Sequence, residues 1–488
     1  MSPRLLLFAL PLIAACRAPT NPPVVPSTPA PRAGEVWVDG ARPQSGDGSR
    51  ERPFRTLAEG LAVRPAPTVH IARGMYAGPF QVAAGTRLVG EGDSTVLYAE
   101  GREQVLWLEA GASLERLSLQ GGGWGVEVTG TLRLEGVAFS GQRKGAVRLI
   151  GGQLVARGVR FEASLSETVG VSLEEAARAD VRESTFLGPW RRGVHVQGGA
   201  EAVLEGVSFQ GAVMALDQEG GRVQMKRVKV EGGRGPGLLV RDGALELEEA
   251  QVTGHEYGLA SNGAKLQVRG FTSVKAERAG LGLTRSTGQL VGLRVRESGS
   301  FGALQLVDSD FEVQDFRMDD VDAYGIAATK GRLRARNGSI GKVRSKEGFT
   351  GDGLHLRGVV ADIEGVEVRE ASGAGVLAAQ AAEVTLRNVT LIGCQQAGLS
   401  VESLGRVKAT GLEVRGTKGV ALAVLRDGDI WADELTASGL AEGLLWAECE
   451  GSTRIHLERL KSDDRRGLTA SCVEQAPRAP AEAGAPAK

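Results

Sequence analysis

The sequence predicts an all-β solenoid of short strands with about 22 residues to a coil. Three observations lead there. From Gly125 onward, a glycine followed by alternating small and apolar residues returns at one or two periods, as in Gly125-Val-Glu-Val, Gly193-Val-His-Val, Gly237-Leu-Leu-Val, Gly353-Leu-His-Leu and Gly443-Leu-Leu-Trp. Roughly ten residues after each return comes a second alternating stretch, such as Leu132-Arg-Leu-Glu-Gly-Val or Val384-Thr-Leu-Arg-Asn-Val, and alternation at period two means strand. The chain also holds 70 Gly in 488 residues, about double the usual share. Glycine serves corners that need positive φ or close backbone approach. A leucine-rich repeat would add a regular asparagine and a helical half, and neither is present. The pattern therefore predicts a single-stranded right-handed parallel β-helix, one elongated domain over residues 35–472, where length alone suggests about three domains.

Taken in order, the N-terminus comes first. Met1 to Ala15 has one basic residue, Arg4, and an apolar run from Leu5 to Ala14 that is too short to span a bilayer, so residues 1–15 read as a secretory signal. The run ends in Leu12-Ile13-Ala14-Ala15-Cys16, which resembles a bacterial lipobox. That resemblance implies cleavage before Cys16, its lipidation, and anchoring to the cell envelope, with outer-membrane sorting because no Asp follows the cysteine. Residues 16–34 form a Pro-rich tether, which holds the rod off the membrane, and residues 473–488 form a disordered tail.

The repeat from about residue 36 to 472 resembles the parallel β-helix proteins of the pectate-lyase-like superfamily. Val36-Trp37-Val38-Asp39, the polar loop Ser45 to Ser49, and Pro53 to Leu61 resemble the N-terminal start of secreted members, where a short helix closes the open end of the solenoid. Thr56 and Glu59 stand at capping-box spacing for that helix. An uncapped end would expose core and strand edges.

Cys449 and Cys472 occupy near-equivalent positions one coil apart, so they are expected to form a disulfide that staples the last coil; Cys394 is expected to be a free, small residue. Fifty-eight basic against 59 acidic residues give no field that points to nucleic acid. Charges of mixed sign along the strands read as a solvated face.

Relatives in that superfamily include polysaccharide lyases, glycoside hydrolases and uronan epimerases, which the resemblance places as the alternative to a non-catalytic binding or structural protein. Such an enzyme would carry outward carboxylates that act as acid and base or hold Ca²⁺. The middle residue of each return points outward, and the column so read (Glu127, Ser172, His195, Leu239, Ala260, Gly282, Ala327, His355, Leu377, Ser400, Leu445, Thr469) does not make a catalytic grid. The strongest local candidates are Arg344, Lys346, Asp352 and His355 in the longest coil. Polygalacturonase-like partners of Asp352-Gly do not follow it, so a solvated loop is the favoured reading there. No metal set is identified and no cofactor is expected, Ca²⁺ apart should the protein be an enzyme. Leu239, Leu377 and Leu445 are outward yet apolar, which predicts a binding stripe for a polysaccharide or another surface protein.

The anchor is directly testable. Cys16→Ala is expected to move the protein from a detergent-extracted membrane fraction to a soluble exported one; membrane retention of the cleaved variant would exclude the lipobox reading.

Overall fold

The computed structural model describes residues 34–475 apart from 66, 102, 110, 346, 347 and 349. The signal segment, Cys16, the tether through residue 33, Lys346 and residues 476–488 lie outside the described residues. The chain winds into a parallel β-helix in which strands pair, in parallel, with those one coil before and one coil after.

Alternation decides which side chains go inward. Val126, Val147, Val171, Val194 and Leu216 are successive register partners, and all are buried. Each such side chain contributes about 1.5–3 kcal/mol when taken out of water. On a second sheet Phe139, Phe161, Phe186 and Phe209 stack along the axis with ring centroids 5.3, 4.4 and 4.6 Å apart. Offset stacking at that spacing adds to the burial.

Two glycine series do different work. In the return series the constraint is space. A Cβ on Gly193 would lie 2.5 Å from the Phe209 ring and 2.7 Å from the Ala215 carbonyl oxygen, and its φ is not left-handed. In the second series the constraint is conformation: Gly136, Gly158, Glu183, Gly206, Arg227 and Glu249 stand one per coil with φ between 46° and 64°. This stacked left-handed corner turns every coil, and Asn337 and Asn388 fill it in later ones.

At the N-terminal end a helix spans Leu57–Ala62, opened by a capping box between Thr56 and Glu59. Its Leu57 and Leu61 enter the core, and Gly60 lies against Val36, Val38 and Val69. At the other end a disulfide joins Cys449 to Cys472, with Cα atoms 5.3 Å apart. The strand Val473–Gln475 pairs with Arg454–Leu457, so the solenoid runs past residue 472. Cys394 is a free, buried thiol, and burial pushes its pKa up to about 12.

One expected orientation is reversed. Leu445 pairs with Leu422 in the inward ladder and belongs to the core; the outward place is taken by Trp446. The reason is a shift of one residue. Gly443 pairs with Val420, one position before the usual return glycine, and Leu444 stands where that glycine would be. Leu239 and Leu377 do face outward and are half-buried.

Gly193→Ala is expected to destabilise the rod by about 1–3 kcal/mol, as overpacking does, read as a lowered midpoint of chemical denaturation. His255 is fully buried with Nδ1 3.1 Å from the Gly235 carbonyl oxygen, and burial pushes its pKa down. The unfolded chain binds a proton there at about pH 6.5 while the folded chain does not. Stability from this residue is thus complete above that pH and lost as pH falls below it, and His255→Asn is expected to reduce the acid-side slope of the melting temperature.

Candidate ligand-binding face

The outward column of the return sheet can be followed strand by strand. It runs Glu127, Arg148, Ser172, His195, Asp217, Leu239, and then Ala260, Gly282, Gln305, Ala327, His355. It finishes with Leu377, Ser400, Ala423 and Trp446. Arg148, Asp217, Gln305 and Ala423 are missing from the periodic reading because their coils carry Ala146, Ala215, Ala303 and Ala421 where the others carry the return glycine. Alanine at the glycine position was the signal that would have revealed them.

The residues so recovered assemble a polar cluster. Arg148 donates through Nε and Nη2 to both oxygens of Glu174 at 3.0 Å and reaches Glu127 at 3.4 Å; Ser172 donates to Glu174 at 3.1 Å. The Arg148 hydrogen bonds hold the Glu174 carboxyl below its ordinary range. In the next coils Arg192 and Arg241 both pair with Asp217, which is fully buried. Burial, and then Arg192, depress the pKa of His195.

Seven coils further on, about 34 Å along the axis, the column reaches His355. Its Nδ1 lies 2.7 Å from Asp352 Oδ2, and Asp352 Oδ1 accepts the Ala374 N–H at 2.8 Å. A carboxylate only accepts, so the contact orients Nδ1–H toward Asp352, and in the neutral imidazole Nε2 is then the nitrogen with the lone pair. Tyr324 covers the ring with centroids 4.4 Å apart, and burial followed by the Asp352 charge raises the Tyr324 pKa. Arg344 does not join this pair, because its guanidinium is held by Asp320 and Asp322.

Next to Asp352 and His355 the surface turns apolar. Each following strand faces out at two positions, giving Ala374 and Leu377, Ala397 and Ser400, then Val420 and Ala423. These residues floor a trough of about 510 Å³, with Gln396 and Glu442 lining it and Trp446 standing 52 % exposed at the end. From His355 to Trp446 is four coils, about 19 Å. The structure thus brings Asp352, His355 and Leu377 onto one continuous surface, and leaves Leu239 five coils away.

A broader concavity of about 810 Å³ on another sheet ends at Trp431, whose ring lies 4.0 Å from that of His456. Its charges are of mixed sign and some pair with one another, as in Arg387 with Asp362 at 2.5 Å and Arg406 with Glu383 at 3.8 Å, as expected of a solvated mixed face.

No family model matches the chain, and no curated protein matches it. Among solved structures, the catalytic unit of a thermostable GH87 alpha-1,3-glucanase from Streptomyces thermodiastaticus strain HF3-3 is similar at 14% identity and a TM-score of 0.32, over 86% of this chain and 72% of that one. Pectate lyase Pel9A is similar at 13% identity and a TM-score of 0.24, over 69% of this chain and 76% of that one. A GH136 lacto-N-biosidase from Eubacterium ramulus is similar at 9% identity and a TM-score of 0.25, over 83% and 67%. The β-helix fold is established by the chain's own parallel ladders.

Proposed function

We propose that this protein is a non-catalytic carbohydrate-binding β-helix, held to the bacterial cell envelope through lipidated Cys16, and that a polysaccharide lies along the trough from His355 to Trp446. One observation carries the reading: an apolar floor of Ala374, Ala397, Val420 and Ala423 is rimmed by Gln396, Ser400 and Glu442 and ends at an open tryptophan. A pyranose ring has the matching chemistry, with an apolar C–H face for the floor and the Trp446 ring and hydroxyls at its edge for the rim. A purely aliphatic partner would leave the rim groups without hydrogen bonds, at a cost of about 1–3 kcal/mol for each one buried.

The oriented imidazole favours one second reading. His355 Nε2, with Nδ1 fixed by Asp352, has the arrangement of a general base. Abstraction of a proton beside a sugar carboxylate, as in a lyase or an epimerase, needs such a base. Hydrolysis uses a different arrangement, two carboxyl groups about 5–9.5 Å apart across the scissile bond.

Affinity electrophoresis in gels that contain polygalacturonate, alginate or dextran separates these readings. Wild type is expected to be retarded by at least one polymer, with Trp446→Ala and Ala423→Lys each weakening binding about tenfold, equivalent to about 1.4 kcal/mol. Unretarded wild-type protein, or variants retarded as strongly as wild type, would remove the trough from consideration. A rise in ultraviolet absorbance from unsaturated uronates, abolished in His355→Ala, would replace the binding protein with a lyase.

A further inference from the structure

The polar cluster on the same sheet, seven coils from His355, has a geometry that the trough does not use. His195 and Asp217 are register partners on adjacent parallel strands, and Glu219 lies two residues beyond Asp217 on its strand, so all three side chains converge on one patch. His195 Nε2 lies 4.0 Å from Asp217 Oδ2 and 4.0 Å from Glu219 Oε1, and one donor atom from each of the three lies within 4.8 Å of the other two. We propose that His195, Asp217 and Glu219 bind a divalent transition-metal ion in competition with the Arg241 guanidinium.

Three features support the assignment. His195 is only 6% exposed, and its Nε2 is buried without a hydrogen-bond partner. A buried imidazole nitrogen left without a partner has lost its hydration with nothing in return, a loss that a metal bond removes. Next, Arg241 Nη2 sits between the two carboxylates, 2.5 Å from Asp217 Oδ1 and 2.6 Å from Glu219 Oε1. A cation that bridges two carboxylates beside an unpartnered imidazole marks the potential minimum an ion would fill. The Arg241 side chain is long and partly exposed, so it can move to solvent, while Arg192 remains against Asp217 as an outer partner. Finally, the half-exposed Glu219 leaves the site open on one side. Three protein ligands with an open position suit Zn²⁺ at about 2.0–2.2 Å from each donor, which requires the donors to close by roughly half an ångström to an ångström. One nitrogen and two carboxylates are too few donors for Ca²⁺, which takes six to eight oxygens.

The test is calorimetric titration of the EDTA-dialysed full chain with ZnCl₂ and, separately, CaCl₂. One Zn²⁺ is expected to bind, with Ca²⁺ at least a hundredfold weaker. His195→Ala should weaken Zn²⁺ about a hundredfold, and Glu219→Gln, at an exposed position that leaves the fold intact, about tenfold. Arg241→Ala should tighten it about tenfold by removing the competing cation, a change opposite to that expected of an ion-pair network with no metal role. The proposal fails if neither wild type nor Arg241→Ala binds Zn²⁺, if His195→Ala binds it as well as wild type, or if Arg241→Ala weakens it.

Discussion

Everything in this rod depends on the requirement that each coil come back into parallel register with the last, strand upon strand at about 4.8 Å. That requirement is met by a left-handed corner repeated once per coil and by a second point where backbone and core side chain touch. The corner tolerates Glu183, Arg227 and Glu249 as well as glycine, because the side chain there leaves the rod. The touching point is limited coil by coil by the side chain packed against it: Gly193 lies under the Phe209 ring, where a methyl group has nowhere to go, whereas other coils carry Ala146, Ala215, Ala303 and Ala421 at that place. The two glycine series look alike in sequence and obey different physics.

Stacking at one register also dictates what a functional surface looks like on this fold. Long loops are scarce, so a site has to be written in columns of outward side chains, each contributing one position per coil. A patch several coils long is then flat unless its residues are small. The trough next to Asp352 and His355 is a depression because Ala374, Ala397 and Val420 follow one another in one outward place of successive strands, with Ser400 and Ala423 in the other, while Trp446 rises at the end. An extended polymer fits such a surface better than a compact ligand would.

The two polar centres on the return sheet illustrate opposite uses of charge. Around Asp217 a fully buried carboxylate is flanked by the Arg192 and Arg241 guanidiniums on a strand face. Among the described residues Asp352 pairs with no arginine; its carboxylate orients an imidazole and receives a backbone N–H. The first arrangement holds cations, and the second prepares an acceptor. They lie on one ladder but too far apart to serve a single small ligand.

Period-two alternation and glycine spacing were enough to determine the solenoid, its coil length and the inward Val, Leu and Ile ladder, because each is a local consequence of strand geometry. The capping box at Thr56 and Glu59 was legible for the same reason. Asp352, His355 and Leu377 could be nominated one by one from alternation, but their common surface could not. Which outward residues meet depends on the alignment of coils of unequal length, and that is a tertiary property. Coils in which alanine replaced the return glycine hid Arg148 and Asp217, and with them the whole polar cluster. A one-residue displacement at Gly443 put Leu445 into the core and turned Trp446 outward, since in a strand every slip of one residue exchanges the two faces.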